Sequence, residues 1–181
     1  MAKKTSKTGS RKGKTQARVP KESDPLARAI SVPIVVLKVA LEGDKAIWRR
    51  IAFRGDQSLD DVHDAIYRAF DRFDEHLYSF YFPTPGSKGR ARVRNAVEYA
   101  CPQISEDPDS FFDVRPRNAA EALLLTLALK PRQVFLYMFD YGDEWWHDIT
   151  VEQVDATAER DKYPKILEKH GKSPPQYDYD E

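Results

Sequence analysis

The chain has 181 residues, of which 41% are apolar and 32% charged, with nine Phe, nine Tyr and three Trp. That is enough to bury one core, and the length suits one domain with tails. No apolar run approaches the ~20 residues of a membrane helix, the first thirty residues lack the apolar segment of a secretory signal, and Cys101, the single cysteine, rules out an internal disulfide and points to a reducing, cytoplasmic setting.

Net charge is zero but uneven. Residues 1–30 hold nine Lys or Arg against Glu22 and Asp24, a net +7, so the remaining 151 residues carry −7. This opening stretch is rich in Lys, Ser, Thr and Gly with almost nothing to bury, the composition of a disordered basic arm. A domain is expected over residues 31–171. It opens with Ile34–Leu41, a β-branched and Leu-rich strand, then a turn at Glu42-Gly43-Asp44-Lys45, then a return strand at Ile47–Phe53, together a hairpin. Ser58 is a helix N-cap with Asp61 in the capping-box position. Leu59, Val62, Ile66, Ala69, Phe70 and Phe73 recur at helical spacing, which predicts the main helix over residues 59–72.

His76–Phe82 reads as a third strand and residues 83–89 as a loop. Residues 90–99 form a weak strand pattern, and residues 101–117 are irregular and acidic. Residues 119–129 fit either a short strand or a helical turn before Pro131. The closing hairpin runs through Gln133–Phe139, a turn, and a strand ending at Val151 and Val154. A short helix is expected near Tyr163–His170, and residues 172–181 form an extended acidic tail. The order strand, strand, helix, strand, irregular stretch, strand, strand predicts an α+β fold. The expected sheet is mixed or antiparallel, of about five strands, with one main packed helix and a β-grasp-like order.

Two segments carry a resemblance. The first runs from Ile47-Trp48-Arg49-Arg50-Ile51 through Leu59, Val62-His63, Ile66, Ala69-Phe70, Phe73-Asp74 and His76-Leu77 to Phe80. The second is Phe139-Asp140-Tyr141-Gly142-Asp143-Glu144-Trp145-Trp146-His147-Asp148-Ile149. Together with Pro174-Pro175-Gln176-Tyr177 they resemble the Ri-plasmid ORF-three-like family over roughly residues 33–180. This chain departs from the pattern in Tyr141, where Phe is usual, and in a longer acidic insert around residues 101–117. The resemblance implies an α+β fold and an association with mobile elements, since members occur on plasmids and beside transposon genes. Some members are labelled resolvases. A serine resolvase needs a nucleophilic Ser ringed by arginines, and no such set assembles in this sequence.

Three chemistries are open. Asp140, Asp143 and His147 have the ligand chemistry of a divalent metal, with His63 or His76 arriving from neighbouring elements. That set would make a metal-dependent hydrolase or nuclease-like enzyme, and the metal is the one cofactor hypothesis. The same residues also serve plain turn construction, with Asp140 and Asp143 accepting backbone N–H groups and Gly142 supplying positive φ. No HxH, HExxH, CxxC, GxSxG, P-loop or GxGxxG spacing sharpens an enzyme reading.

Basic segments point instead to nucleic acid. Lys3, Lys4, Lys7, Arg11, Lys12, Lys14 and Arg18 in the arm, and Lys88, Arg90, Arg92 and Arg94 in the body, suit non-specific phosphate neutralisation of DNA or RNA. Finally, adjacent strand residues face opposite ways, so one of Trp145 and Trp146 is expected at an exposed surface, where it would serve a protein partner. The leading expectation is a non-enzymatic binding module contacting nucleic acid or a protein. The alternatives are the metal enzyme and an adaptor built on the Trp145–Trp146 turn.

Overall fold

A computed structural model describes residues 32–107, 114–156 and 162–177. The basic arm and the last residues of the acidic tail lie outside the described residues.

The opening hairpin forms as expected. β1 (Ile34–Leu41) and β2 (Trp48–Arg54) pair antiparallel with Leu37 opposite Ile51. Alternation then assigns faces: Val35, Leu37, Val39, Arg49, Ile51 and Phe53 point into the main core. α1 (Leu59–Ala69) starts at the predicted cap. The Ser58 hydroxyl accepts from the Asp61 N–H at 3.2 Å, and the Asp61 carboxylate accepts from the Ser58 N–H at 2.7 Å. The helix buries Leu59, Val62, Ala65, Ile66 and Ala69 against the sheet.

α1 stops before the predicted end at residue 72. Phe70 caps it, and Asp71 has φ +57°, a left-handed conformation that a continuing helix does not contain. Phe73, expected on the apolar face, is therefore 65% exposed, with its ring edge on Tyr177.

The remaining elements are β3 (Tyr78–Phe82), a single-turn helix α2 (Ala91–Arg94), β4 (Val97–Ala100), another single turn α3 (Pro102–Ser105) and the two-residue β5 (Arg117–Asn118). Two 3₁₀ turns follow, Ala119–Glu121 and Leu124–Thr126. Then come β6 (Val134–Phe139), β7 (Trp145–Ala156) and β8 (Lys165–His170). The expectation of about five strands is corrected to one eight-stranded sheet in the order β5-β4-β3-β6-β7-β1-β2-β8. Every pairing is antiparallel except β4 with β5.

Three local readings change with it. The weak strand at residues 90–99 is a helical turn followed by β4. Residues 101–117, expected to be mostly irregular, hold α3 and the start of β5. The helix expected near Tyr163–His170 is the edge strand β8, paired to β2 with His170 opposite Trp48. The α+β class stands as a sheet-dominated, mixed arrangement with few helices, and the expected β-grasp-like order gives way to the eight-stranded one. No helix among the described residues is long and apolar enough to cross a membrane.

α1 covers one face of the sheet. The other face carries two small apolar clusters, Ile34, Val36 and Ala52 with Tyr163, and Tyr81, Leu136 and Met138 with Trp146. Trp48 belongs to this second face. It stacks on His170 at 5.4 Å and lies under the Lys38 ammonium.

Candidate functional site

The β6–β7 hairpin places the acidic turn. Asp140 is buried with φ +64°, and its Oδ1 accepts from the Gly142 N–H at 2.9 Å and the Asp143 N–H at 3.4 Å. Asp140 is thus the acceptor that closes the turn, and an Asx side chain tolerates that backbone at low cost. Its Oδ2 lies 3.5 Å from His76 Nε2, which also meets the Tyr177 hydroxyl at 2.7 Å. Asp143 is exposed.

His147 belongs to a different environment. It sits on the core face of β7 at 2% exposure, with its ring against the edge of Phe70. Its Nδ1 is 3.0 Å from the Trp145 carbonyl. Burial, and then the positive charge of Arg72, lowers its pKa to about 3. The hairpin therefore brings Asp140 to His76 and leaves Asp143 and His147 apart from them. Among the described residues no three His, Cys, Asp or Glu side chains come close enough to hold a metal ion.

His63 projects from α1 toward β3 and β6. Its ring stacks on Tyr78 at 3.8 Å, and Nδ1 is 2.7 Å from the Tyr137 hydroxyl. Burial lowers its pKa to about 4, against the opposing pull of Asp64 and Asp60. Tyr78 donates its hydroxyl to Asp60, and burial raises the pKa of Tyr78 and of Tyr137. His63 and His76 line one cleft of about 480 Å³ together with Asp60, Asp64, Tyr78 and Cys101. Asp60 and Tyr78 did not stand out in the sequence. The Asp60–His63 spacing of three residues on a helix was the available signal, whereas Tyr78 and Cys101 arrive through tertiary packing.

The basic residues divide. Arg92 is tied to Asp148 at 2.7 Å, and Lys45 reaches the other oxygen of that carboxylate at 2.6 Å. Lys88, Arg90 and Arg94 remain exposed around α2. The structure adds two arginines that the sequence did not single out. Arg115 and Arg117, beside and within β5, border a groove of about 550 Å³ with Arg94, and Tyr81, Tyr141 and Glu98 form part of its wall. Lys3, Lys4, Lys7, Arg11, Lys12, Lys14 and Arg18 lie outside the described residues.

Trp145 and Trp146 take opposite faces, as strand alternation requires, and both are half-buried. Trp145 lies under the Arg72 guanidinium, with Cζ 3.9 Å from the ring centre. Trp146 packs on Tyr81 at 5.5 Å. With Leu41, Glu42 and Gly43 the two indoles line a shallow recess of about 260 Å³.

An eight-stranded sheet under one helix, with a histidine-lined cleft at one end and an arginine-bordered groove at the edge, defines a sheet-dominated α+β domain. Residues 33–178 match the family described as plasmid pRiA4b ORF-3-like protein, and the chain belongs to that family. Over 144 residues it is 28% identical to the uncharacterized protein y4hQ of Sinorhizobium fredii (strain NBRC 101917 / NGR234). That match covers 79% of this chain and 65% of the relative, so the chain spans just under two thirds of its length. The fold is similar to the crystal structure of MM3350, a protein of unknown function from Methanosarcina mazei Go1. The TM-score is 0.60 at 24% identity, over 80% of this chain and 72% of that one.

Proposed function

We propose that this protein is a non-enzymatic binding module that contacts nucleic acid, with a body surface at the β4–β5 edge gripping phosphates and the basic arm adding non-specific affinity. The observation that carries this reading is the meeting of Arg94 with Arg115 and Arg117, from two segments distant in sequence, around one groove with Tyr81 and Tyr141. Guanidinium groups pair with phosphate oxygens in a two-pronged fashion. Tyr141, exposed beside them, gives an unpaired base a surface to stack on, which favours single strands over duplex. A binding role also fits the histidines. His63 and His147 are held neutral inside hydrogen bonds and rings.

Fluorescence anisotropy tests the reading, using duplex DNA, single-stranded DNA and RNA over a salt series. The full chain is compared with a version lacking residues 1–30 and with a triple variant Arg94→Ala, Arg115→Ala, Arg117→Ala. Removing the three arginines should flatten the log–log salt slope by about 2–3, close to one per lost phosphate contact. Truncation should weaken binding to all three ligands alike. If the full chain fails to bind at low salt, the nucleic-acid reading is wrong, and a protein partner becomes the next candidate.

A further inference from the structure

Two arginines are buried beside the end of α1, and they are served very differently. Arg49 gives its N–H groups to the carbonyls of Ala69, Trp48, His170 and Gly171. Among the described residues Arg72, 7% exposed, has one acceptor, the Pro174 carbonyl at 3.2 Å. Its Nε and second terminal nitrogen are buried without a hydrogen-bond partner among those residues, as are Trp145 Nε1 and His147 Nε2. None of the ion pairs among the described residues involves Arg72. A buried guanidinium with no direct ion pair and two unused donors is costly.

The four unpartnered atoms belong to neighbouring side chains. Arg72 stacks on the Trp145 ring at 3.9 Å, and its charge acts on His147, two residues along the same face of β7. Their hydrogen-bonding roles follow from chemistry. Arg72 and Trp145 can only donate. The Trp145 carbonyl can only accept, so His147 carries its proton on Nδ1. His147 Nε2 is left as a bare acceptor. The set therefore offers three donor atoms, two of them on the charged guanidinium, and one acceptor.

We propose that Arg72, Trp145 and His147 form a buried site for a small oxyanion that retains one O–H group, the chemistry shared by bicarbonate and monohydrogen phosphate. The anionic oxygens take the guanidinium and indole N–H groups, and the O–H donates to His147 Nε2. Chloride or nitrate would satisfy the donors but present another lone pair to Nε2. Phe70 and Tyr137 lie against His147, and Ser173–Pro174 is anchored beside Arg72 through the Ser173 hydroxyl to the Phe70 carbonyl at 2.7 Å. Such close walls restrict the ligand to few atoms. The site is distinct from the arginine groove, so failure of either binding test leaves the other standing.

The test is thermal unfolding of the full chain, titrated separately with sodium bicarbonate, phosphate, nitrate and chloride at fixed ionic strength and mildly alkaline pH. A saturable rise in Tm with bicarbonate or with phosphate, absent with nitrate and chloride, is expected from ligand linkage, and the anion that acts identifies the source. Trp145→Phe keeps an aromatic ring under Arg72 and removes the N–H together with part of the indole. It should fold normally and weaken the apparent affinity by on the order of tenfold. Equal effects of all four salts would overturn the proposal, as would unchanged affinity in Trp145→Phe.

Discussion

Replacing Arg49 should unfasten three elements at once. Its Nε donates to the Ala69 carbonyl at the end of α1 at 2.8 Å. One terminal nitrogen donates to Trp48, His170 and Gly171, joining β2 to the end of β8. The guanidinium also lies over the Phe70 ring at 4.7 Å and places a positive charge at the negative end of the helix dipole. In Arg49→Met the chain keeps comparable bulk and loses all four bonds. Each bond from a charged donor contributes about 1.5–3 kcal/mol, and each buried acceptor left unpaired costs about 1–3 kcal/mol. Removing a buried charge returns part of its desolvation cost, so the net loss expected is about 3–5 kcal/mol rather than the sum of the bonds. With a urea slope of about 2–3 kcal/mol/M, the unfolding midpoint should fall by about 1–2 M with the slope unchanged. Arg49→Lys keeps the charge without the planar fork and should recover only part of the loss. The reasoning fails if Arg49→Lys matches the native chain, or if Arg49→Met moves the midpoint by less than about 0.3 M.

Two further outcomes can be checked by simpler means. His63 and His147 have folded-state pKa values lowered to about 4 and about 3 from an ordinary 6.5, chiefly by burial. The unfolded chain thus takes up their protons first. Their neutral forms stabilise the fold fully above pH 6.5, and that contribution drains away as pH falls toward 4 and 3, at about 1.4 kcal/mol per pH unit for each histidine. Urea midpoints measured from pH 7 to 4 should show the decline, and His63→Gln should remove about half of its slope; a flat profile in the native chain would exclude it. Separately, Asp140→Asn should retain near-native stability, because an amide oxygen still accepts from Gly142 and Asn tolerates positive φ, whereas Asp140→Ala should cost about 1–3 kcal/mol. Metal ligation at this turn would predict instead that Asn and Ala are equally disruptive to bound metal, which elemental analysis of the purified protein would reveal.

Legibility followed locality. The β1–β2 hairpin, the capping box at Ser58 and the β6–β7 turn are specified within a few residues each, by β-branched runs, an N-cap or an Asp-x-Gly turn, and all three appear where the sequence put them. β8 was misread because Ile166, Leu167, Glu168 and Lys169 are compatible with a helical turn. What makes this segment a strand is the open edge of β2, which no local propensity announces. Residues 119–129 resisted assignment for the same reason. The Leu124 and Leu125 N–H groups bond to the Gln57 and Gly55 carbonyls, which holds the segment in 3₁₀ turns beneath the start of α1. The cleft was harder still. His63 and His76 were visible as candidates, but their meeting with Tyr78, Asp60 and Cys101 depends on how β3 and β4 lie against α1. Arg115 and Arg117 looked like isolated charges until β5 paired with β4 and carried them to Arg94.

The distribution of those failures is itself informative. Along β1, and on α1 as it faces the sheet, propensity, alternation and burial agree, as expected for a sequence whose local choices support one fold. Around the C-terminal end of α1 they conflict. Arg49, Arg72 and His147 are all withdrawn from solvent within that neighbourhood, and apolar residues of similar volume would pack there without desolvating polar groups. Arg49 offsets its cost through four carbonyls. Arg72 and His147 are left with unused hydrogen-bonding capacity. Local rules broken without internal compensation are where a fold departs from its own stability optimum for a function. The same stretch of β7 that places Trp145 and His147 inward, beside Arg72, turns Trp146 and Asp148 outward, toward Tyr81 and Arg92. A ligand held on the inner face of β7 would therefore bear on the strand that also anchors α2 and, through it, the arginine groove. That connection is physical only if the inner site is occupied, which makes anion binding the step to establish before any coupling between the two surfaces is sought.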